Sequence, residues 1–337
     1  MKKKLALLTA ALTAALMCFA LAGCDNNGTQ ANDGEGAQAL EEITLVLDYT
    51  PNTNHTGIYV AQANGYFEEQ GLKVNIVEPG DNDPTTLCAA GKAEFAVTYQ
   101  ENVTYARTAE EPLPIRAIAT IVQHNTSGFV SAAEDNITSP KDFEGKVYAG
   151  WQAPSEEAVL KAVMAAAGAD FSKLTMVGAA GSGLDSMGDQ IDIQWEFEGW
   201  SVLNDRMNGH KLNYIPVKDL DQRLDYYTPL LITNEDMIAN NPETVKAFVA
   251  AVKKGYEFAI EDPEAAAGIL HQAIPETDQE FLLESQKFLS EQYSLDSATW
   301  GLMKDQVWDG YTEFMHEYGL IEQTIPASQQ YTNEFIQ

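Results

Sequence analysis

The sequence predicts an α/β protein built of two lobes. Short apolar runs typical of strands alternate with segments of helical period, and this alternation occurs twice before a largely helical C-terminal region. Such alternation is typical of open sheets of parallel strands flanked by helices. The chain has 337 residues, of which 45% are hydrophobic, so it has the length and apolar content for about two domain cores.

The first series of elements runs from residue 43 to residue 123. Apolar runs bounded by turn-forming residues indicate its strands, and apolar residues three and four positions apart indicate its helices. In order, the pattern predicts a strand at 43–48, a helix at 56–70, a strand at 72–78, a helix at 85–90, a strand at 95–99, a helix at 103–110 and a strand at 115–123.

The second series begins near Gly128. It comprises predicted strands at 129–132, 147–149, 174–177, 191–195 and 212–217, with a helix at 154–167. One more strand follows at 230–233, and the rest of the chain is predicted to be mostly helical. Pro242 and Pro263, each between a capping residue and a glutamate, mark two of the helix starts.

Two α/β series followed by a helical region are explained by a chain that crosses from one lobe to the other and returns. The crossings are predicted near residues 125–128 and 226–228. The first lobe then comprises residues 43–125 and 228–337, and the second comprises residues 126–227. Open α/β sheets bind ligands beyond the carboxyl ends of their strands, so we expect a ligand cleft between the lobes that closes by hinge rotation.

The N-terminal segment predicts export. Lys2, Lys3 and Lys4 precede an uncharged apolar run at 5–22, as in a secretory signal, although a signal anchor is an alternative. Leu21-Ala22-Gly23-Cys24 resembles the lipoprotein signal of bacteria. We therefore expect a signal peptide at 1–23, lipidation of Cys24, a flexible tether at 24–42, and a location on the outer face of the cell membrane.

Charge and cysteine content exclude several classes of function. The chain has 50 acidic and 20 basic residues, a net charge of −30, which argues against nucleic acid and against anionic lipid surfaces as partners. The three cysteines, at positions 18, 24 and 88, form neither a disulfide framework nor a zinc motif. We expect no metal and no cofactor, and we expect a monomer.

Aromatic and polar side chains gather where the predicted strands end. They are Asn52, Asn54 and His55 after the first strand, then Tyr99, Gln100, Gln123, Trp151, Trp195, Glu198 and Trp200 at the ends of later strands. Aromatic faces stack on flat rings, and amides and a carboxylate fix donors and acceptors in the ring plane. The set favours a flat, uncharged heteroaromatic ligand, with ordinary turn, cap and core roles as the alternative.

The predicted helix at 154–167 bears on the charge of the ligand. A helix N-terminus attracts anions, but Ser155-Glu156-Glu157 already places two negative charges in this first turn. A phosphate or sulfonate would be repelled there, so a neutral or cationic ligand is favoured.

Several of these stretches resemble one known family. Residues 48–59 (DYTPNTNHTGIY), 123–129 (QHNTSGF), 197–200 (FEGW) and 224–229 (LDYYTP) are similar to the ThiY-like proteins. These proteins are solute-binding lipoproteins of ABC importers for thiamine pyrimidine precursors. The resemblance extends over residues 43–337, and the first two stretches are its more specific parts.

The resemblance implies a two-lobed periplasmic-binding-protein fold of type II, with two crossovers and the ligand cleft between the lobes. It implies 4-amino-5-hydroxymethyl-2-methylpyrimidine or its formylaminomethyl relative as ligand, and a permease with its ATPase as partners. It implies ligand binding by Asn54, His55, Tyr99, Gln100, Trp151, Glu198 and Trp200, and also by Asn52, Gln123 and Trp195, with a glutamate reading the aminopyrimidine. The sequence departs from the family pattern at 181–185 and at Glu196.

Two alternatives remain beside this interpretation. One is a binding protein of the same fold for another heteroaromatic or a sulfonate solute. The other is an enzyme, because a related family makes the thiamine pyrimidine from its own histidine and pyridoxal phosphate. The enzyme is disfavoured because that family uses a cysteine-rich iron motif, which this sequence lacks, and because the chain is predicted to be exported.

Overall fold

In the computed structural model, each of the two lobes is built on one five-stranded sheet. The structure describes residues 39–336. The predicted signal peptide (1–23), the lipidation site Cys24 and the tether as far as residue 38 lie outside the described residues. Within residues 39–336, no helix has the length and apolar character needed to cross a membrane.

The strands follow the predicted order along the chain. They are β1 (Glu41–Val46), β2 (Leu72–Val77), β3 (Phe95–Thr98), β4 (Ile115–Thr120), β5 (Ser127–Ala132), β6 (Val147–Gly150), β7 (Thr175–Gly178), β8 (Ile193–Phe197), β9 (Leu212–Pro216) and β10 (Leu230–Asn234). The first lobe contains the sheet β2–β1–β3–β10–β4, and the second lobe contains the sheet β7–β6–β8–β5–β9.

The helices cover the sheets and dominate the C-terminal third. They are α1 (Thr56–Ala63), α2 (Tyr66–Glu69), α3 (Pro84–Ala89), α4 (Gln100–Thr108), α5 (Pro154–Ala166), α6 (Leu184–Met187), α7 (Leu203–Met207), α8 (Glu235–Asn240), α9 (Pro242–Glu261), α10 (Pro263–Ala273), α11 (Gln279–Gln292) and α12 (Asp305–Glu317). The two helix starts predicted from Pro242 and Pro263 are confirmed.

The strand directions correct the expectation of parallel sheets. β1 pairs in parallel with β2 and β3, but β10 lies antiparallel between β3 and β4. In the second lobe, β5 lies antiparallel between β8 and β9. β5 and β10 are the strands by which the chain enters each lobe from the other one, and they run opposite to their neighbours, so both sheets are mixed.

Several element boundaries also differ from prediction. The helix predicted at 56–70 is divided into α1 and α2, because Gly65 adopts a left-handed conformation with φ of 72°. β1 begins at Glu41, inside the predicted tether, where Glu41 pairs with Leu72 and Glu42 forms an ion pair with Lys73. Helix α4 begins at Gln100, three residues earlier than predicted.

Each lobe has an aromatic core. In the first lobe, Phe248 of α9 stacks on Phe95 of β3 with ring centroids 3.8 Å apart. In the second lobe, Phe129 of β5 packs against Phe143 and Trp195 with centroids 5.3 and 5.2 Å away. These rings pack each sheet against the elements that cover it, and so fix the positions of the strand ends.

The two crossing segments are bonded to each other. The side-chain amide of Asn125 donates to the carbonyl oxygen of Leu224 at 2.9 Å, and its backbone N–H donates to Asp225 Oδ1 at 2.9 Å. His124 Nδ1 lies 2.6 Å from the other carboxylate oxygen of Asp225. The chain therefore passes between the lobes as a paired, hydrogen-bonded connection.

Helix α12 packs on both lobes. Trp308 belongs to an apolar cluster of the first lobe. Tyr311, one turn later, stacks on Tyr226 with centroids 4.1 Å apart and packs with Phe314 in the core of the second lobe. The segment predicted to belong to the first lobe (228–337) thus also contributes a helix to the second.

Candidate functional site

The loop after β1 is organised around Asp48, whose side chain is 7% exposed. His55 Nδ1 accepts the backbone N–H of Asn52 at 3.2 Å, so the ring proton is assigned to Nε2, which donates to Asp48 Oδ1 at 2.6 Å. Burial raises the pKa of Asp48. The electrostatic interaction with His55 and the hydrogen bonds from His55 and Tyr99 together outweigh burial, so the pKa of Asp48 is lowered. An ionised Asp48 therefore fixes the positions of His55 and Tyr99.

The same loop exposes an aromatic ring that sequence reasoning missed. Tyr49 is 64% exposed, and its position directly after the predicted strand was the available signal. Asn52 caps the next turn, because its side-chain oxygen accepts the backbone N–H of Asn54 at 2.9 Å. The backbone oxygen of Asn54 accepts from the Tyr256 hydroxyl at 2.6 Å, and the Asn54 side chain is half-buried.

Three predicted site residues lie in the interior with protein partners. His55 is bound to Asp48, as described above. Gln100 donates to the carbonyl oxygen of Val307 at 3.2 Å and accepts the backbone N–H of Tyr227 at 2.9 Å. Gln123 donates to the carbonyl oxygen of Leu302 at 3.1 Å. Their contact with ligand stays a prediction, and their placement favours a role in holding the loops around the cleft.

Two tryptophans lie together at strand ends of the second lobe. Trp151, directly after β6, is 56% exposed, whereas Trp195 of β8 is 6% exposed. Their ring centroids are 5.5 Å apart at an interplanar angle of 47°. Trp195 Nε1 is buried and has no hydrogen-bond partner among the described residues. Trp151 therefore exposes much of its ring, and the buried Trp195 packs against it.

The turn after β8 brings a carboxylate and a third tryptophan toward the first lobe. Residues 198–202 form a π-helical turn. Glu198 is partly exposed, and its Oε1 accepts from Arg206 Nη1 at 3.1 Å. Trp200 packs edge-on against Phe281 of α11 with centroids 4.7 Å apart.

Glu196, a departure from the family pattern, is a buried acid beside this turn. It is 4% exposed and accepts from the backbone N–H of Gly183 at 2.8 Å and from the Ser201 hydroxyl. Burial raises the pKa of Glu196, the bonds from Ser201 and Gly183 lower it only in part, and Asp205 raises it further. Glu196 holds the 181–185 loop against β8, so the two departures from the family pattern contact each other.

Hydrogen bonds of two serine hydroxyls are among the contacts between the lobes. The Ser285 hydroxyl of α11 lies 2.6 Å from Thr53 Oγ1 of the first lobe and donates to the carbonyl oxygen of Gly199 in the second. The Ser155 hydroxyl at the start of α5 donates to Glu101 Oε1 at 2.8 Å, in the first turn of α4. Sequence reasoning did not select Ser285 or Glu101 as site residues. Glu101 lies at a polar strand end directly after Gln100, whereas no pattern marks Ser285.

A cavity of about 270 Å³ lies beside the first of these contacts. It is lined by Ser182, Gly183, Trp200, Ser201 and Asn204 of the second lobe and by Thr277, Asp278 and Phe281 near the start of α11. Within residues 39–336, no group of three His, Cys, Asp or Glu side chains has the arrangement of a metal site.

The structure thus divides the predicted site residues into two groups. Trp151, Tyr99, Asn52, Asn54, Glu198 and Trp200 are exposed or partly exposed. His55, Gln100, Gln123 and Trp195 lie beneath them. The exposed residues come from both lobes. They comprise three aromatic rings, two amides and one carboxylate.

Comparison with known proteins gives a consistent set of relatives. Residues 52–266 match the model of the family described as NMT1/THI5 like. The chain is 30% identical to the formylaminopyrimidine-binding protein of Halalkalibacterium halodurans, over 93% of this chain and 94% of that protein. It is 26% identical to the riboflavin-binding protein RibY of Chloroflexus aurantiacus, over 88% of this chain and 86% of that protein.

An enzyme and a transport protein of known structure are also similar. The 4-amino-5-hydroxymethyl-2-methylpyrimidine phosphate synthase of Legionella pneumophila is 24% identical over 87% of this chain and 92% of the enzyme. The periplasmic aliphatic sulphonate binding protein SsuA of Escherichia coli has the same fold, with a TM-score of 0.66 and 12% identity, over 86% of this chain and 91% of that one. The predicted two-lobed binding-protein fold is confirmed.

Proposed function

The chain belongs to the NMT1/THI5-like family, and from this premise we propose that it captures a thiamine pyrimidine precursor and delivers it to the permease of an ABC importer. The ligand is 4-amino-5-hydroxymethyl-2-methylpyrimidine or its formylaminomethyl relative. The relative at 30% identity supports the pyrimidine, because its name gives formylaminopyrimidine as what it binds.

The observation that carries this proposal is the pair of exposed aromatic rings at strand ends of the two lobes. Tyr49 follows β1 in the first lobe, and Trp151 follows β6 in the second. The hydrogen bond from Ser155 to Glu101 brings the segment after Trp151 against α4, which begins beside Tyr99. Each ring that stacks on a pyrimidine contributes about 0.5–1.5 kcal/mol beyond area burial.

A carboxylate gives this aromatic site its selectivity for an amino-substituted ring. In the proposed complex, Glu198 accepts a hydrogen bond from the exocyclic amino group, and Arg206 holds the carboxylate in place. A hydrogen bond to a charged group contributes about 1.5–3 kcal/mol. Trp195, whose own Nε1 is buried, packs against Trp151 and supports that ring for stacking on the ligand.

Capture works by closure of the lobes on the ligand. Because the exposed site residues come from both lobes, the ligand has more contacts in the closed state and shifts the population toward it. The paired crossing around Asn125 and Asp225 is the proposed hinge. The closed form then presents the surface that the permease recognises. A lipid anchor at Cys24, a monomeric state and a location outside the cytoplasm are parts of this proposal.

The chain is proposed to bind and not to catalyse, although a synthase is among its relatives. The one free thiol of the described residues, Cys88, is buried, and burial raises its pKa to about 12. A thiol in that setting is a poor ligand for iron and a poor nucleophile. Formation of a pyrimidine by the protein incubated with iron and pyridoxal phosphate would contradict this part of the proposal.

A ligand panel tests the function, and the likeness to RibY makes a flavin the second candidate. The full chain in mild detergent is unfolded by heat with each of the two aminopyrimidines, thiamine, riboflavin or an alkanesulfonate. A ligand at 100 times its Kd adds about 2.7 kcal/mol to the free energy of unfolding, a shift of a few degrees in a protein of this size. A shift with aminopyrimidines alone supports the proposal. A shift with riboflavin or the sulfonate alone overturns the pyrimidine assignment.

A further inference from the structure

Two helices from different lobes begin at the same point of the cleft. Helix α4 starts at Gln100 and carries Glu101 in its first turn, and α5 starts at Pro154 and carries Glu156. The bond from the Ser155 hydroxyl to Glu101 Oε1, at 2.8 Å, joins the two first turns directly. Unpaired N–H groups at helix starts are the usual means by which proteins bind phosphate and sulfonate groups.

The buried side chain of Glu156 accepts backbone N–H groups at the start of its own helix, α5. Its side chain is fully buried, and one oxygen accepts from the Tyr148 hydroxyl at 2.5 Å and from the backbone N–H of Trp151 at 3.2 Å. The other oxygen accepts the backbone N–H of Ala153 at 2.9 Å. Two of the backbone donors that lead into α5, those of Trp151 and Ala153, are thus already bound to a carboxylate.

Glu101 places a second carboxylate on the other side of the contact, where it accepts from hydroxyls. One of its oxygens accepts from Ser155, and the other accepts from the Tyr311 hydroxyl at 3.0 Å. The pKa of Glu101 is raised, because burial and the nearby Glu156 outweigh the two hydroxyl bonds that lower it. The partners that surround this carboxyl are two hydroxyls and a second acid, with no cation among them, so an anionic ligand would be repelled here.

We infer that Glu101 and Glu156 make this cleft reject anions, so that it takes the unphosphorylated aminopyrimidine and excludes its phosphate ester and sulfonates. This inference rests on the proposed function, because it assumes that the aminopyrimidine lies beside Trp151. The fold itself does not impose this choice, since an aliphatic sulphonate binding protein shares it. Glu101 and Glu156 are therefore specificity-determining residues.

The test compares two ligands that differ in one group. Calorimetry with the full chain in detergent measures the Kd of hydroxymethylpyrimidine and of its phosphate ester. We expect the ester to bind at least about 100-fold more weakly, because a doubly charged group faces two nearby carboxylates. Ester binding within about threefold of the alcohol would overturn the inference, whereas failure of the alcohol itself to bind would overturn the proposed function.

A neutral variant isolates the role of Glu101. In Glu101→Gln, the amide oxygen still accepts from Tyr311 and the amide nitrogen donates to Ser155, so both contacts are preserved. We expect the ratio of the Kd of the ester to the Kd of the alcohol to fall by about tenfold, because the substitution removes one partly screened charge. Glu157→Gln is the matched control. Glu157 lies next to Glu156 in the first turn of α5, but its side chain is half-exposed and paired with Lys161.

Equal narrowing in the two variants would show a general charge effect and overturn the inference. If Glu101→Gln does not fold, salt provides the second measurement on the wild-type protein. The ratio should narrow as salt rises, because ions screen repulsion between ligand and cleft. A ratio that does not change between 0.05 and 0.5 M salt (about 14 Å to about 4 Å of Debye length) would count against the carboxylates as its cause.

Discussion

At the scale of single residues, exposure separates binding tryptophans from structural ones. Trp151 is 56% exposed, whereas Trp300 is 1% exposed and stacks on Tyr256 with centroids 4.5 Å apart. Trp151→Ala should weaken aminopyrimidine binding about tenfold, through loss of about 1.5 kcal/mol of stacking, with little change in stability. Trp300→Ala should instead lower the free energy of unfolding by about 3–5 kcal/mol.

Calorimetry and urea unfolding of both variants check this prediction. Trp151→Phe is the matched control, since it keeps an aromatic face at the same place and should retain most of the affinity. Full affinity in Trp151→Ala would remove Trp151 from the proposed site.

Glu196 gives a prediction about pH. Its pKa is raised in the folded protein, so between the ordinary glutamate value and the raised value the folded state binds more protons than the unfolded state. Stability from this group is therefore present at low pH and is lost as pH rises through that window. Glu196→Gln should remove the loss, because glutamine does not ionise and still accepts from Gly183 and bonds to Ser201.

Urea unfolding of both proteins between pH 4 and pH 8 measures this effect. The variant should gain stability relative to wild type as pH rises, and Asp205 should still contribute a slope of the same sign in both proteins, because burial raises its pKa too. A constant difference across the range would mean that Glu196 does not titrate in this window.

The role of a residue could be predicted from sequence only where a local pattern marks it. Trp151 was predicted at a strand end and is exposed there. Gln100 has the same kind of position, but its side chain turns inward to Val307 and Tyr227. These partners are far away along the chain, so no local pattern distinguishes a buried amide from a ligand-binding one.

At the scale of elements, α1 and α9 make the closest helix crossing of the first lobe. A Cβ atom on Gly255 of α9 would lie 1.9 Å from the carbonyl oxygen of Gly57 in α1. Gly255→Ala should therefore destabilise the protein by at least about 1–3 kcal/mol, because the backbones must separate. Since α1 follows the Asp48 loop directly, the same variant should also weaken ligand binding.

Gly268→Ala is the control for this prediction. Gly268 lies inside α10, and a Cβ atom there would have no neighbour within 4 Å. Alanine favours the helix by about 0.5–1 kcal/mol over glycine in such a position. Denaturant unfolding should thus give opposite signs for the two substitutions, and a neutral Gly255→Ala would show that the helices separate without cost.

The order of the elements was predictable, whereas the direction of two strands was not. Periodicity and turn residues locate strands such as 72–78 and helix starts such as Pro242 within a few residues. β10 pairs with β3 and β4, more than 100 residues earlier in the chain, and its own sequence carries no information on direction. The division at Gly65 was also missed, because the apolar pattern continues through it.

At the scale of the whole molecule, two kinds of contact join the lobes. The crossing around Asn125 is covalently continuous, whereas Ser285 and Glu101 connect surfaces that are remote in sequence. Helix α12 adds a third connection by packing in both cores. A binding protein that captures ligand by closure needs the contacts that break on opening to be weak, and a single hydrogen bond such as that from Ser285 to Gly199, worth about 0.5–1.5 kcal/mol, meets that requirement.

Ser285 tests whether these contacts set the affinity for ligand. Its hydroxyl donates to Gly199 of the second lobe and lies 2.6 Å from Thr53 of the first, so it favours the state in which the lobes touch. Ser285→Ala should shift the free protein toward the open state and raise the Kd for the aminopyrimidine by about threefold to tenfold, since the closed state that binds the ligand becomes rarer.

Ser290→Ala is the matched control, because Ser290 is a buried serine of the same helix that donates to Ala259 within the first lobe. Each substitution removes two hydrogen bonds of one α11 hydroxyl, so both should lower stability similarly, but only Ser285→Ala should change the Kd. Equal Kd values in the two variants would mean that the contact between the lobes stabilises the fold without contributing to capture.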